Sequence, residues 1–431
     1  MASTIWVIGG GVAGLAVGWL LRARGRSVVV AEAADRPGGV IRTSHRDGLR
    51  IEHGPQSLRG GTADLWSWIE AVGLAHAVVP SAPAASTRYL LQGGRLVALP
   101  SGPLGLLRTP LLSRRARLRA LAEPWIRPGG RPGESVYDLM ARRLGAEAAD
   151  RLGTPFVGGI FGGDPRAVEC QAALPRLVDF ERTAGSLTRG AFRSPRPPAA
   201  APRVPFTFAD GLQALPDALA RGLGGALRLN TPVTSLTRDG AGWRVHAGGE
   251  AHEAEAVVVA ATGVDRLLPG LSADPHAHAP IAAIHLGWRA GDVPAVSGFG
   301  WLAHPDQTRD ALGAIYVSSV FPGHAPGWVL LRVLVGGARA PGIAFGSDDG
   351  LIAHARDVVA AVHGWRVAPA FTHVARTLPG IPQYPPGHTA RTRALAASGL
   401  HFVGWQWSGL GVPDQLAAAR AVVDRLTDVR R

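Results

Sequence analysis

A chain of 431 residues, 46% hydrophobic and 18% charged, can fold around a large core in two or three domains, and this balance excludes a disordered protein. Its formal charge of +13 is carried by arginine alone, because the sequence contains no lysine, which excludes a Schiff-base lysine and a P-loop lysine. The single cysteine, Cys170, excludes an internal disulfide and a multi-cysteine metal cluster, and it points to a reducing, cytoplasmic compartment. Many of the arginines sit singly, among abundant Ala, Gly and Pro, which reads as compositional bias and not as a nucleic-acid surface.

In chain order, residues 5–8 (IWVI) read as a short buried strand, followed by GGGVAG and an Ala/Leu-rich helix to about Gly25. Residues 27–31 (SVVVA) read as a second buried strand ending at Glu32, which completes a strand–helix–strand start. With the first strand beginning at Thr4, no signal peptide is expected, and no apolar run reaches the ~20 residues of a membrane span. From about 91 to 192 the pattern is mostly helical, with Ser135 and Asp138 in capping-box positions, and the Pro/Ala/Arg-rich stretch 193–205 is expected to be a loop. Strand patterns return at 243–247, at 256–262 and through 281–340, and a helix is expected over 412–426. A nucleotide fold at the start and a strand-plus-helix return at the end suggest a discontinuous domain with insertions.

Gly9, Gly11 and Gly14 form G-x-G-x-x-G between strand and helix. This pattern allows a tight turn, lets a pyrophosphate approach the backbone, and presents it with a helix N-terminus. Glu32, 18 residues after Gly14, stands where an acid accepts from the ribose hydroxyls, so a dinucleotide without a 2′-phosphate is expected. Arg36 and the Gly38–Gly39 pair extend the motif as in flavin-binding oxidases. The Gly54–Pro55 turn, followed by Gln56, can bring backbone amides to a cofactor ring. Together they favour FAD over NAD. His285, His304, His324 and His388 have no metal-ligand spacing, so no metal is expected, and no acid–base pair stands out, so no catalytic residue is named.

The phrases "TRYLLQGGRLVALPSG" (87–102), "PFVGGIFGGDP" (155–165), "FADGLQALPDAL" (208–219), "GFGWLAH" (298–304), "GIPQYPPGHTAR" (380–391) and "HFVGWQWSGLGVPDQLAAAR" (401–420) follow one another in an order that resembles the protoporphyrinogen oxidase family nearly end to end. The resemblance implies an α/β (α+β) fold with a Rossmann-like FAD domain of the p-hydroxybenzoate-hydroxylase type, built from 1–75, 206–268 and 388–431. A mixed-sheet substrate domain would comprise 76–90 and 269–387, and a helical membrane-binding region 91–205. It further implies six-electron oxidation of a porphyrinogen in three FAD cycles, with oxygen as acceptor and hydrogen peroxide released.

On that resemblance, Arg88 pairs with a substrate propionate and Gly159 lets the macrocycle approach the flavin. Phe299, Gly300 and Leu302 pack against the tetrapyrrole. Val233 makes a backbone contact on the adenine side of FAD. Gly404 and the Gly411–Val412 segment form the last turn, where a helix start faces the flavin pyrimidine. Where relatives have GPNSF this chain has Gln56, a longer amide, and Trp405 and Trp407 are bulkier than expected and would narrow the pocket or cover the ring. Protoporphyrinogen IX is the favoured substrate and coproporphyrinogen III the alternative. A desaturase or other flavin oxidase and a non-catalytic flavin sensor are the rival readings. Amine oxidases of this fold generally place a lysine near the flavin, and this chain has none. Family members are often dimers. The Leu- and Arg-rich stretch 101–128, with Arg108, Arg114, Arg115, Arg117, Arg119 and Trp125, is expected to lie on a membrane surface.

Overall fold

The computed structural model describes residues 4–60, 62–194, 198–263, 267, 278–308 and 310–428. Part of the loop expected over 193–205, namely 195–197, lies outside the described residues, as do 269–277 of the expected substrate domain.

Five short strands form a parallel sheet in the order His401–Phe402, Ala256–Val259, Ile5–Ile8, Val28–Ala31, Leu227–Arg228. Side chains alternate across a strand, so Ile5 and Val7 face one side while Trp6 and Ile8 face the other. Ile5, Val7, Val28 and Val30 pack beneath the helices Val12–Ala23, Ala63–Ala71, Ala214–Leu223 and Val412–Asp428. Trp6, Ile8, Val257 and Val259 pack on the antiparallel meander Val233–Asp239, Gly242–Ala247, Glu250–Ala254, through Trp243 and Val245. Both faces are covered, which is why these strands read as continuous apolar runs.

The second large sheet has seven strands in the order Phe371–Pro382, His278–Arg289, Trp328–Gly336, Ala311–Tyr316, Gly300–Ala303, Arg88–Gln92, Arg95–Ala98. Gly300–Ala303 and Arg88–Gln92 pair in parallel and the other neighbours are antiparallel, so the sheet is mixed. One face carries Ile284, Leu286, Trp301, Leu331 and Val333 against the helix Asp348–His363. The alternate residues therefore face the opposite way, and they form the floor of the site described below.

Two elements differ from the sequence reading. The helical stretch begins later than about 91, because Arg95–Ala98 pairs with Arg88–Gln92 as a hairpin. Its loop is Gly93–Gly94 with φ of +55° and +73°, the conformation a tight two-residue turn needs. The apolar run 314–321 is not one strand: the chain leaves the sheet at Tyr316 and makes a helical turn, Val317–Val320. The serines there serve neighbouring backbone instead of a ladder, since Ser319 Oγ accepts from Gly298 N and Ser318 Oγ from Leu330 N.

The helices between 102 and 193 are tied together by buried ion pairs. Arg143, with its side chain fully buried, binds Glu123 and also donates to the carbonyl of Ile126. Glu123 in turn accepts from Ser186 Oγ, Leu187 N and Thr188 N, at the start of the helix Leu187–Arg193. Ser135 caps the helix Val136–Leu144 by accepting from Asp138 N, as expected. Among the described residues no helix is long and apolar enough to cross a membrane.

Candidate functional site

The glycine motif folds into a cradle at the carboxyl end of Ile5–Ile8. Gly9 has φ +107°, and a Cβ on Gly14 would overlap the carbonyl oxygen of Gly9, so both positions require glycine for the turn itself. Gly11 differs. It sits in ordinary extended backbone, and a Cβ added there would meet no atom within 4 Å. No side chain caps the helix that starts at Val12, so its first N–H groups face that open space, as anion-binding helix starts do. Glu32 lies beside the cradle, accepting from Gly10 N at 2.5 Å and from Ala34 N at 2.8 Å. Val233 begins its strand close by, after Thr231 N donates to Glu32 O.

The second and third motifs continue the same groove. Gly38 N donates to Gly10 O, and Gly39 packs on the Cα of Gly11. Arg36 wraps this loop by donating to the carbonyls of Pro37, Gly39 and Ile41. A Cβ on Gly54 would overlap Val40 O, so the Gly54–Pro55–Gln56 turn is seated on the end of that loop. The motifs thus line one continuous path from Gly11 through Gly39 to Gln56.

Behind the turn lies a buried polar cluster that the sequence reading missed. Arg332, 5% exposed, donates to Gly54 O at 2.6 Å, His53 O at 3.4 Å and Gln56 Oε1 at 3.4 Å. A guanidinium only donates, so Gln56 must turn its oxygen toward Arg332. Its buried Nε2 is left with no partner among the described residues. Glu52 accepts from Thr43 Oγ1 and Leu212 N, and burial pushes its carboxyl up to about 7. Burial, with His373 and Arg42 beside it, holds His53 down to about 4. Burial lowers His285 well below its usual range and brings Arg332 down to about 10.

Register places this cluster on the floor face of the seven-stranded sheet. His373 pairs with His285, His285 with Arg332, Arg332 with Ile315, Ile315 with Gly300 and Gly300 with Arg88. In-register neighbours share a face, so the row runs from the Gly54–Gln56 turn to Arg88 across three strand spacings, roughly 14 Å. At its far end the Arg88 guanidinium lies 4.8 Å from the centre of the Phe299 ring. A Cβ on Gly159 would overlap Leu302 Cδ2, so the helix Thr154–Phe161 rests directly on that side chain. Phe156 and Ile160 of the same helix are each 40% exposed. Gly300 is glycine for the sheet's sake, since a Cβ there would overlap Ala314 O.

The C-terminal turn closes the cradle from the other side. Gly404, at φ +104°, lies over Ala260 and Ala13, and Ser408 Oγ bridges its N–H and carbonyl. Gly411 precedes the helix Val412–Asp428, whose Val412 is buried in the core shared with Val12–Ala23. Tyr384 OH donates to Trp405 O. Trp407 does not turn toward the groove: its ring packs at a tilt against Phe402, with centres 4.8 Å apart, within the cluster that contains Trp6 and Val257.

A model of the family "flavin containing amine oxidoreductase" matches residues 12–427. The chain is 31% identical to a protoporphyrinogen oxidase of Homo sapiens, over 97% of this chain and 97% of that one. The chain belongs to the protoporphyrinogen oxidase family. It is also 32% identical to a coproporphyrinogen III oxidase of Propionibacterium freudenreichii, over 98% of this chain and 90% of that protein. A crystal structure of a protein from Exiguobacterium, described as a putative protoporphyrinogen oxidase, shares the fold, with a TM-score of 0.82 at 22% identity and 99% coverage of both chains.

As a member of this family the protein is an FAD-dependent oxidoreductase with a flavin amine oxidase-type α/β fold. The residues present fit the cofactor: the open space over Gly11 faces an uncapped helix start, and Gln56 holds a buried donor without an acceptor among the described residues. Each suits a ligand with phosphates at one end and a polar ring at the other. Arg332 and His285 carried no local motif, and only strand register brings them to the turn, whereas Glu52 stands two residues before it in the chain.

Proposed function

We propose that the protein oxidises protoporphyrinogen IX to protoporphyrin IX, with oxygen as acceptor and hydrogen peroxide as the other product. The observation that carries this reading is the far end of the floor row, where Ile315, Phe299 and Leu302 give an apolar face with Arg88 stacked on Phe299, continuous through Arg332 with the cofactor turn. A flat macrocycle bearing few carboxylates suits such a face, and the similarity to a protoporphyrinogen oxidase spans nearly the whole chain. Gly9, Gly11, Gly14, Gly38 and Gly39 would hold the FAD pyrophosphate, Glu32 and Val233 its adenosine side. Gly54, Pro55, Gln56, Gly404, Gly411 and Val412 would hold the ring, in a domain of the p-hydroxybenzoate-hydroxylase type. Bound there, FAD supplies a two-electron acceptor that oxygen can recharge.

The protein's own residues bind and orient. Arg88 would hold a propionate by its planar fork, Phe299 and Leu302 would support the macrocycle, and Gly159 would let the helix Thr154–Phe161 close directly on Leu302. A macrocycle held still presents its reacting carbon repeatedly, and positioning of that kind lowers the barrier without an acid–base pair.

Oxidation of coproporphyrinogen III is the second reading, favoured by 32% identity to an oxidase of that name. Peripheral membrane association is supported by Leu104, Leu107, Leu118 and Trp125, which are 44 to 76% exposed beside the exposed Arg108, Arg114 and Arg115. Arg117 and Arg119 do not join them, since they donate to backbone carbonyls of Leu107, Arg142 and Arg143.

Anaerobic mixing of the FAD-loaded protein with protoporphyrinogen IX tests the main reading. The visible flavin band should bleach and recover in air. A band left unchanged by the porphyrinogen would overturn it.

A further inference from the structure

Among the described residues two arginines are deeply buried, Arg143 and Arg332, and they are treated differently. Arg143 is neutralised, with Glu123 and Glu181 both within ion-pair distance. Arg332 has no carboxylate within 4.0 Å among the described residues, and its Nε has no partner. Its donors are spent on the carbonyls of His53 and Gly54 and on the Gln56 amide, the turn that closes the groove.

The other groups around it do not balance the charge. Glu52, the acid that acts on Arg332 electrostatically, accepts from Thr43 and Leu212, and burial favours its protonated form, so it offsets the guanidinium only above pH about 7. From the neighbouring strands, His285 and His373 are held neutral, as is His53 on the turn side. Arg36 and Arg42 lie beyond His53 and add like charge. A buried cation without an anion is costly unless one is supplied.

We propose that Arg332 is the fixed counter-charge for the cofactor ring: its guanidinium, set behind the Gly54–Pro55–Gln56 turn, stabilises the negative charge the ring acquires on taking two electrons. The inference rests on the reading that the groove holds FAD with its ring at that turn. Arg332 is a positioning residue, acting through its field and through the orientation it imposes on Gln56. In a buried site such a field is weakly screened by salt.

The test is the reduction potential of bound FAD, measured anaerobically against reference dyes in the holoenzyme and in Arg332→Gln and Arg332→Lys. Arg332→Gln should retain FAD and show a potential more negative by at least tenfold in the two-electron equilibrium constant, about 30 mV. Arg332→Lys should recover most of that shift, which a purely structural role would not do. An Arg332→Gln protein with bound FAD and the wild-type potential would overturn the proposal while leaving the porphyrinogen reading intact. If Arg332→Gln cannot be purified with FAD, Glu52→Gln at pH 8 decides. Removing the neighbouring acid should then make the potential less negative, and an unchanged value would overturn the proposal. A wild-type protein that binds no FAD would overturn both. Normal potentials in a protein that porphyrinogen cannot bleach would sink only the substrate reading.

Discussion

Gly11 and Gly14 stand three residues apart and are glycine for different reasons. A side chain on Gly14 would strike Gly9 O within the protein, whereas one on Gly11 would enter open space. Gly11→Val should therefore fold with a near-wild-type melting temperature yet lose at least tenfold in FAD occupancy. Gly14→Ala should lose both. The ratio of flavin to protein absorbance, read beside the melting curve, separates the two cases, and a fully yellow Gly11→Val protein would refute the assignment. Arg88, stacked on Phe299 at the far end of the row, is argued to bind and not to react. Arg88→Ala should raise KM about tenfold or more with kcat largely kept, since a charged hydrogen bond contributes about 1.5–3 kcal/mol. An unchanged KM would count against its role. At this scale the glycines were legible in the sequence because backbone geometry restricts them locally. Arg332 was not, since nothing near it in sequence says that it lies beside His285 and under Gly54.

Among the elements, the helices of 102–193 depend on Glu123. Its bonds from Ser186, Arg143 and Thr188 outweigh the opposing effect of burial and hold its carboxyl down to about 2, below the ordinary value of 4.5. The sign follows directly. A depressed carboxyl contributes stability above pH about 4.5 that is lost as pH falls toward about 2. Glu123→Gln should cost about 3 kcal/mol or more at neutral pH, because Arg143 stays buried without its main countercharge. It should also flatten the acid limb of the stability profile, and denaturant melts at pH 7 and pH 3 would reveal both effects. The exposed apolar ridge gives a second expectation. Holoprotein should float with anionic vesicles, and a Leu118→Ser/Trp125→Ser double variant should float less, whereas protein that stays in the supernatant with such vesicles would refute membrane association. Ser135 was readable as a cap because capping is local. The Gly93–Gly94 hairpin carried a readable turn signal that a helical reading of its surroundings obscured. The helical turn at Val317 was unreadable, since β-branched residues suggest a strand and only the distant partners of Ser318 and Ser319 decide otherwise.

For the whole molecule, the parallel sheet supplies the cradle and the seven-stranded sheet supplies the floor, and the Gly54–Gln56 turn joins them through Arg332. The parallel sheet could be anticipated because strand, helix and acid follow each other within the first 32 residues. The floor was legible only as a set of β-rich phrases, because its row is assembled from six strands spread along the chain. Trp407 shows the same limit: proximity in sequence to Gly404 suggested a covering ring, and packing on Phe402 turns it away. The central claim, that this floor receives protoporphyrinogen IX over FAD, is tested most directly by aerobic turnover of the FAD-loaded protein, followed by porphyrin fluorescence, with protoporphyrinogen IX and coproporphyrinogen III side by side. The account predicts faster formation of protoporphyrin IX; a preference for coproporphyrinogen III, or no rate above the enzyme-free control with either, would contradict it.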